Sequence, residues 1–259
     1  PAVFVDGLRR RAEAAGVSIH TGIRVTDIDS SGVGPQTITV ASGSGTARGH
    51  RRIAAGDVVI ATNGYTDRVA PWHRERIVPM LSTILGLERL GRERVEALLP
   101  AMTAVIDTNR VIVYARPTPD GEGILFGGRA RFRPVSTATS ARILYDQMLE
   151  IFPTLADVKI TNAWSGLMAF TADYLPKLGV RDRVHYVLGC NGGSGVVLMP
   201  WLGRAVGRRI AGTDDPTQPM SSLAGIPYER QPLGEHTSKL VAAAGVWYGL
   251  RDRIDAVRP

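Results

Sequence analysis

The chain has 259 residues, 44% of them hydrophobic and 21% charged, an ordinary globular composition long enough for one large domain or two joined ones. No apolar run approaches ~20 residues and no secretory signal is present, so no membrane span is expected. The one cysteine, Cys190, excludes an intramolecular disulfide and points to a reducing, cytoplasmic setting. The net charge of +7 invites nucleic acid, but all except three of the 31 basic residues are arginine. The clusters Arg9-Arg10-Arg11, Arg51-Arg52 and Arg129 to Arg133 are short and separated, with no stripe of interleaved aromatics, so no nucleic-acid partner is expected.

Taken in order, Val3, Leu8, Ala12 and Ala15 predict an amphipathic helix ended by Gly16, and residues 17–20 a short strand. Residues 36–41 alternate Ile38 and Val40 with polar neighbours, and residues 42–49 are dense in turn formers, which predicts a small antiparallel meander. Residues 57–64, DVVIATNG, read as a buried strand running into a turn whose Ala61, Thr62 and Gly64 allow close approach of a ligand. Strand candidates at 77–87, 103–107, 110–116 and 123–128 are separated by turn signals such as Pro119-Asp120-Gly121, with a helix at 92–99 between them. That pattern predicts an antiparallel sheet with helices on one face. Residues 138–151 form a further amphipathic helix closed by Pro153, and Trp164 and Trp201 read as core. Residues 213–227 are a Pro/Ser/Thr-rich connector before a final helix at 239–254.

The most informative stretch is 184–212. A buried strand (Val184, Tyr186, Val187, Leu188) runs into a turn carrying Gly189, Gly192, Gly193 and Gly195, with Asn191 and Ser194 among them. Val196, Leu198, Met199, Leu202, Val206 and Ile210 then give a helix with one apolar face, and Gly212 stands where a C-cap glycine belongs. Such a turn leaves the helix N-terminus bare, and its N–H groups and positive dipole end suit something electron-rich. The same pattern fits a tight βα connection without a ligand, with Asn191 or Ser194 capping the helix and Pro200 confined to its first turn.

The phrase G-C-N-G-G-S-G-V at 189–196, followed by L-G-R-A-V-G-R-R-I-A-G at 202–212, resembles the C-terminal flavin-binding signature of the FAD-dependent amine and D-amino-acid oxidase superfamily, with one extra glycine or a shifted register. A-A-G-V-S-I at 14–19, V-T-D-I at 25–28, A-T-N-G-Y at 61–65, Y-A-R at 114–116, F-G-G-R at 126–129, W-S-G at 164–166 and T-A-D-Y-L-P-K-L-G at 171–179 match further phrases of that family. The combination is most similar to its γ-glutamylputrescine oxidoreductase branch.

The resemblance implies a mixed α/β chain, with an incomplete Rossmann-like FAD-binding domain plus an antiparallel-sheet substrate domain. Residues 1–75 and 157–212 then belong to the FAD domain, 76–156 to the substrate domain, and 213–259 to a connector and terminal helix. Asn191, Gly192, Gly193, Ser194, Gly195 and Val196 would face the pyrimidine end of the flavin. The backbone of Val25, in a buried strand, would meet adenine, and Ala61, Thr62, Asn63 and Gly64 would pass the ribose and pyrophosphate. Gly166 would pass the flavin ring.

On the substrate side, Met168 stands where D-amino-acid oxidases carry a carboxylate-gripping arginine, which argues against α-amino-acid specificity. Tyr114 lines the amine pocket or is an ordinary strand aromatic; Arg116 pairs with a substrate carboxylate or with Asp120, and the structural reading is favoured for both. Cys190 touches flavin or substrate, or is a small buried hydrophobe. No cysteine precedes T-x-D, so FAD is expected to be non-covalent. No residue is assigned as catalytic and no metal is expected.

The chain carries no G-x-G-x-x-G between a strand and a helix. An N-terminal dinucleotide-binding segment of the same protein is therefore expected to be missing, with the present residues inactive alone. The implied function is FAD-dependent oxidation of the CH–NH bond of an amine or amino-acid-like small molecule by hydride transfer to flavin N5. The rivals are an FAD dehydrogenase of an amino or hydroxy acid using an acceptor other than oxygen, and a non-catalytic fragment or subunit.

Overall fold

The computed structural model describes residues 1–42, 49–129, 135–213, 223 and 225–257. They divide into two units, Pro1–Arg74 with Asp173–Glu229, and Glu75–Ala172 with Arg230–Pro259. The interior of the 42–49 loop, most of the arginine cluster at 129–133 and most of the 213–227 connector lie outside the described residues.

The first unit opens with helix α1 (Ala2–Ala14), in which no residue is buried, so its apolar stripe has no cover among the described residues. Residues 17–20, expected as a strand, find no ladder partner there and are irregular. The expected meander is present as β1 (Ile23–Asp29), β2 (Gln36–Ser42) and β3 (Gly49–Ala55), paired antiparallel in that order.

A second, three-stranded sheet holds β4 (Val58–Ile60), β10 (Lys177–Arg181) and β11 (Val184–Leu188) in the order β10-β11-β4. Strand β11 runs antiparallel to β10 and parallel to β4. Every residue of β11 is buried, because side chains alternate across a sheet covered on both faces. Val187 joins Leu178, Leu202 and Val206 beneath helix α5 (Gly195–Ile210), whereas Val184, Tyr186 and Leu188 pack with Val58, Ile60 and Ala70, the last just before the one-turn helix α2 (Pro71–Arg74). The edge strand β4 is covered on one face only, so Val58 and Ile60 are buried while Val59 is exposed.

Lys177, at the start of β10, is 2% exposed. A lysine is tolerated there because its Nζ donates to the Asp173 carboxylate and to the Pro227 carbonyl at 2.9 Å. In α5, Pro200 sits in the interior rather than the first turn, which removes the i+4 donor that the Val196 carbonyl would otherwise accept from.

The second unit is built on β5 (Val78–Leu87), β6 (Val105–Ile106), β7 (Val113–Pro117), β8 (Ile124–Gly128) and β9 (Ile160–Phe170), ordered β6-β7-β8-β5-β9 with every neighbour antiparallel. Residues 160–170, expected with the cofactor-side segment, thus pair along β5 inside this sheet. The β7–β8 turn closes because Gly121 takes φ +75 and Thr118 exchanges backbone bonds with Gly123 and Gly121.

One face of the sheet (Leu85, Val113, Ala115, Ile124, Phe126) is sealed by Val95 and Leu99, from α3 (Arg92–Leu98) and its end, and by Leu144 and Met148 of α4 (Thr137–Ile151). Ser136 caps α4, its Oγ accepting from the Thr139 N–H at 3.1 Å. The terminal helix, α6 (Thr237–Val257), belongs to this unit; its Asp252 accepts from the N–H groups of Arg110 and Val111 and from the Arg110 guanidinium.

Desolvation opposes ionisation of Asp252, but the two N–H donors and Arg110 outweigh it and hold its pKa below the ordinary 3.8. A depressed carboxylate contributes stability above the unfolded-state pKa and loses it as pH falls through the folded-state value. Asp252→Asn is therefore expected to lower the urea midpoint at pH 7, and the gap from the wild type to close as pH falls below 3.8. A gap that persists unchanged in acid would show that the charge contributes nothing.

Candidate functional site: two turns at the ends of parallel strands

Strands β4 and β11 run parallel, with Val184 opposite Val58 and Tyr186 opposite Ile60, so both release their turns at the same sheet edge. Ligands of open α/β sheets bind in the crevice beyond such carboxyl ends. From β4 the chain enters Ala61 and Thr62, both exposed, and a single 3-10 turn, Asn63–Tyr65. From β11 it enters Gly189, Cys190 and Asn191, with Gly189 at φ +82, Asn191 at φ +47 and Gly192 at φ +104.

Asn63 ties the two turns together. Its own φ is +44, a left-handed conformation that asparagine tolerates better than most residues. Its Oδ1 accepts from the N–H of Gly189 at 3.1 Å and of Cys190 at 3.3 Å, and its Nδ2 donates to Cys190 Sγ at 3.1 Å. Thr66 Oγ1 donates to the Asn63 carbonyl at 2.7 Å and lies 2.8 Å from Thr62 Oγ1, fixing the turn from below. Cys190 is buried.

The Ser194 side chain does not cap α5. Standing at the N-cap, it donates its Oγ back to the Cys190 carbonyl at 3.4 Å, and Asn191 Nδ2 donates to the Gly189 carbonyl at 2.6 Å. The Gly195 N–H is spent on Gly192 and those of Val197 and Leu198 on Ser194. Among the described residues, the N–H groups of Gly193, Ser194 and Val196 have no partner, and no acidic residue stands in the first turn. A Cβ on Gly193 would meet open space. The result is an exposed, uncapped N-terminus on a 16-residue helix, suited to partial negative charge.

Val25, expected as buried, is 38% exposed. Strand β1 is the edge of its sheet, so part of its backbone faces away from β2. The register slips between Val25 and Asp27, a bulge with Thr26 Oγ1 donating to the Thr39 carbonyl.

In the second unit the remaining candidates share the sheet face opposite α3 and α4. Register places Tyr114 opposite Gly127, Gly127 opposite Ile84, and Ser82 opposite Gly166; Met168 lies opposite Met80, and Arg116 opposite Leu125. The Tyr114 ring lies across Gly127, where a Cβ would come within 2.3 Å of it, and its hydroxyl meets Ser82 Oγ at 2.7 Å. Arg116 does not pair with Asp120, which instead accepts from Thr118 and lies 3.6 Å from Arg89. Trp164, expected in the core, is 45% exposed on this face, and Trp201 is likewise exposed.

Sequence reasoning missed Ser82 and Gly127, whose roles appear only when strands are in register. It also missed the use of the Asn63 side chain, although asparagine before glycine at a strand end is a signal for a left-handed turn.

The family model described as FAD dependent oxidoreductase (DAO) matches residues 1–209. The chain belongs to this family. It is 30% identical over 254 residues to the probable oxidoreductase OrdL of Rhizobium meliloti (strain 1021), covering 98% of this chain and 56% of that protein. It is 28% identical over 211 residues to the gamma-glutamylputrescine oxidoreductase of Escherichia coli (strain K12), covering 81% of this chain and 48% of that protein. The chain thus spans about half the length of the curated relatives it matches.

Among solved structures, glycine oxidase from Geobacillus kaustophilus aligns at TM-score 0.59 with 19% identity, over 82% of this chain and 54% of that one. L-proline dehydrogenase from P. horikoshii aligns at 0.60 with 18% identity, over 82% and 55%. These likenesses establish the fold, a mixed α/β one. No helix among the described residues is long and apolar enough to cross a membrane, and no group of metal-binding side chains occurs among them.

Asn63→Ala is expected to cost about 1–3 kcal/mol in urea unfolding, because two buried N–H groups lose their acceptor. Asn63→Asp, which keeps an acceptor oxygen, is expected to cost less. Gly195→Ala is expected to destabilise despite alanine's better helix propensity, since the new Cβ would lie 2.9 Å from Cys190 Cβ. An Asn63→Ala midpoint equal to the wild type would remove the clamp from the account.

Proposed function

We propose that the chain forms the flavin-facing part of an FAD-dependent oxidoreductase acting on the CH–NH bond of an amine or amino-acid-like small molecule. One observation carries the reading: an uncapped helix N-terminus with free N–H groups at Gly193, Ser194 and Val196, held against the turn of a parallel neighbour by Asn63. These residues fit the electron-rich pyrimidine edge of a flavin: a Cβ on Gly193 would meet open space, and no acidic residue stands in the helix's first turn. When bound, FAD supplies the hydride acceptor, at N5.

On this reading the α5 N-terminus, with Asn191, Gly192 and Gly195 shaping it, would hold the flavin's pyrimidine end and favour negative charge there. Ala61, Thr62, Asn63 and Gly64 form the small-residue wall that passes the ribose and pyrophosphate. The outward backbone of Val25 would hold adenine, and Gly166 is the second unit's residue that would pass the flavin ring. Tyr114, Arg116 and Met168 line the substrate side. Cys190, held by Asn63, keeps the turn in place and makes no covalent bond to the cofactor. Oxidation of a neutral amine by hydride loss needs no acid–base pair, so no catalytic side chain is assigned.

The ADP half of FAD requires a phosphate-binding turn, and no G-x-G-x-x-G occurs in these residues. The proposal assigns that turn to another part of the protein, consistent with relatives about twice as long. A cytoplasmic location fits a chain with one cysteine.

The test is the anaerobic visible spectrum, with FAD, of the full-length protein that carries the phosphate-binding turn. Bleaching of the flavin band by γ-glutamylputrescine or a simple secondary amine is the expected result. A flavin that reduces only with hydroxy acids would move the substrate class, and failure to take up FAD would overturn the reading.

A further inference from the structure

The terminal helix takes no part in the function proposed above, and α6 (Thr237–Val257) lies beyond the residues that the family model matches. One side of it is accounted for. Val241 packs with Val78, Met80 and Phe170, Gly245 is buried, and Asp252 and Asp255 receive the Arg110 guanidinium. Val241, Gly245 and Asp252 follow one another at steps of four and seven, which is a single face of a 3.6-residue helix. The helix is thus pinned near both ends.

The opposite side is uncovered. Leu240, Ala243, Trp247, Leu250 and Ile254 step by three and four, so they form one row about 21 Å long at ordinary helix rise. All five are exposed, Trp247 at 57% and Leu250 at 52%. Scattered surface hydrophobes are ordinary, but a continuous row with an indole at its middle marks a contact surface. A helix that is apolar on both sides has the composition of one covered on both sides.

Charge decides what covers it. Exposed Lys239 flanks the row near its start, and half-buried Arg251 flanks its other side near its end. Among the described residues neither pairs with a carboxylate, and the two acids of α6, Asp252 and Asp255, are turned to Arg110. A second copy of the helix would bring only the same cations to the pairing, with no carboxylate to meet them. An apolar row rimmed by cations, with an indole whose N–H can reach water, instead matches a helix lying in the headgroup layer of an anionic bilayer.

We propose that α6 is a peripheral docking element for an anionic lipid surface: the row centred on Trp247 enters the headgroup layer, and Lys239 and Arg251 engage its charge. The helix lies along the surface; no helix among the described residues is long and apolar enough to cross it. The inference does not depend on the flavin reading.

The experiment is co-sedimentation of the full-length protein with vesicles of phosphatidylcholine alone, or of equal parts phosphatidylcholine and phosphatidylglycerol. Binding is expected to the mixed vesicles, to weaken with added salt and to be weaker on phosphatidylcholine alone. Trp247→Ala is expected to lower the partition coefficient about tenfold, with an unchanged Tm because the ring is exposed. Lys239→Gln is expected to lower it about fivefold on the mixed vesicles only. Trp247→Phe is expected to restore most of the binding while abolishing a blue shift of tryptophan emission on vesicle addition, which identifies Trp247 as the inserted residue.

No binding to mixed vesicles would overturn the proposal, as would binding that Trp247→Ala leaves unchanged. A doubled mass in light scattering that Trp247→Glu halves, without vesicle binding, would assign the row to a second copy instead. A Tm lowered by Trp247→Ala, again without vesicle binding, would assign it to another part of the same protein.

Discussion

The amide of Asn63 is the contact on which the first unit's site depends. Two parallel strands deliver their turns to one sheet edge, but parallel pairing ends at Tyr186 and leaves the turns themselves without ladder bonds. Asn63 supplies the missing acceptors to Gly189 and Cys190 and a donor to the Cys190 sulfur. Gly189 and Gly192 hold positive φ on the way into α5, whose N-cap Ser194 makes no side-chain cap bond. The turn that leads into the helix is thus tied to a side chain more than a hundred residues earlier in the sequence.

Both units use a tyrosine laid over a cross-strand glycine. Tyr186 of β11 covers Gly179 of β10, and Tyr114 of β7 covers Gly127 of β8. The glycine lets the ring lie down on the sheet, where any Cβ would lift it. In the first unit the ring is buried against Trp72, His73 and Tyr228 and is part of the core. In the second it stays half-exposed with its hydroxyl on Ser82. The opposite face of that sheet carries α3, α4 and the larger core, while at one end of the Tyr114 face Val78, Met80 and Phe170 form a smaller core with Met168 and, from α6, Val241.

Much of this was legible in the sequence because the strong signals are local. The alternation of Ile38 and Val40, the Pro119-Asp120-Gly121 turn and the helix at 138–151 each depend on neighbours within a few residues, and each stands where expected. The glycine turn before α5 was legible for the same reason. What failed depends on partners far away in the chain. Residues 17–20 have the composition of a strand but no described neighbour to pair with, and the apolar residues of α1 have none to pack against. Trp164 was read as core, yet on β9 it is 45% exposed. The separation of Arg116 from Asp120 depends on Thr118 and Arg89 competing for the same carboxylate, which no spacing rule reveals.

The central claim is that the α5 N-terminus faces the flavin. Backbone amide NMR of the protein with and without FAD addresses it most directly. The account predicts that the Gly193, Ser194 and Val196 amides shift and exchange more slowly with solvent when FAD binds, while amides in the interior of α4 do not. FAD binding that leaves these three amides unchanged would contradict it and return the turn to a purely structural role.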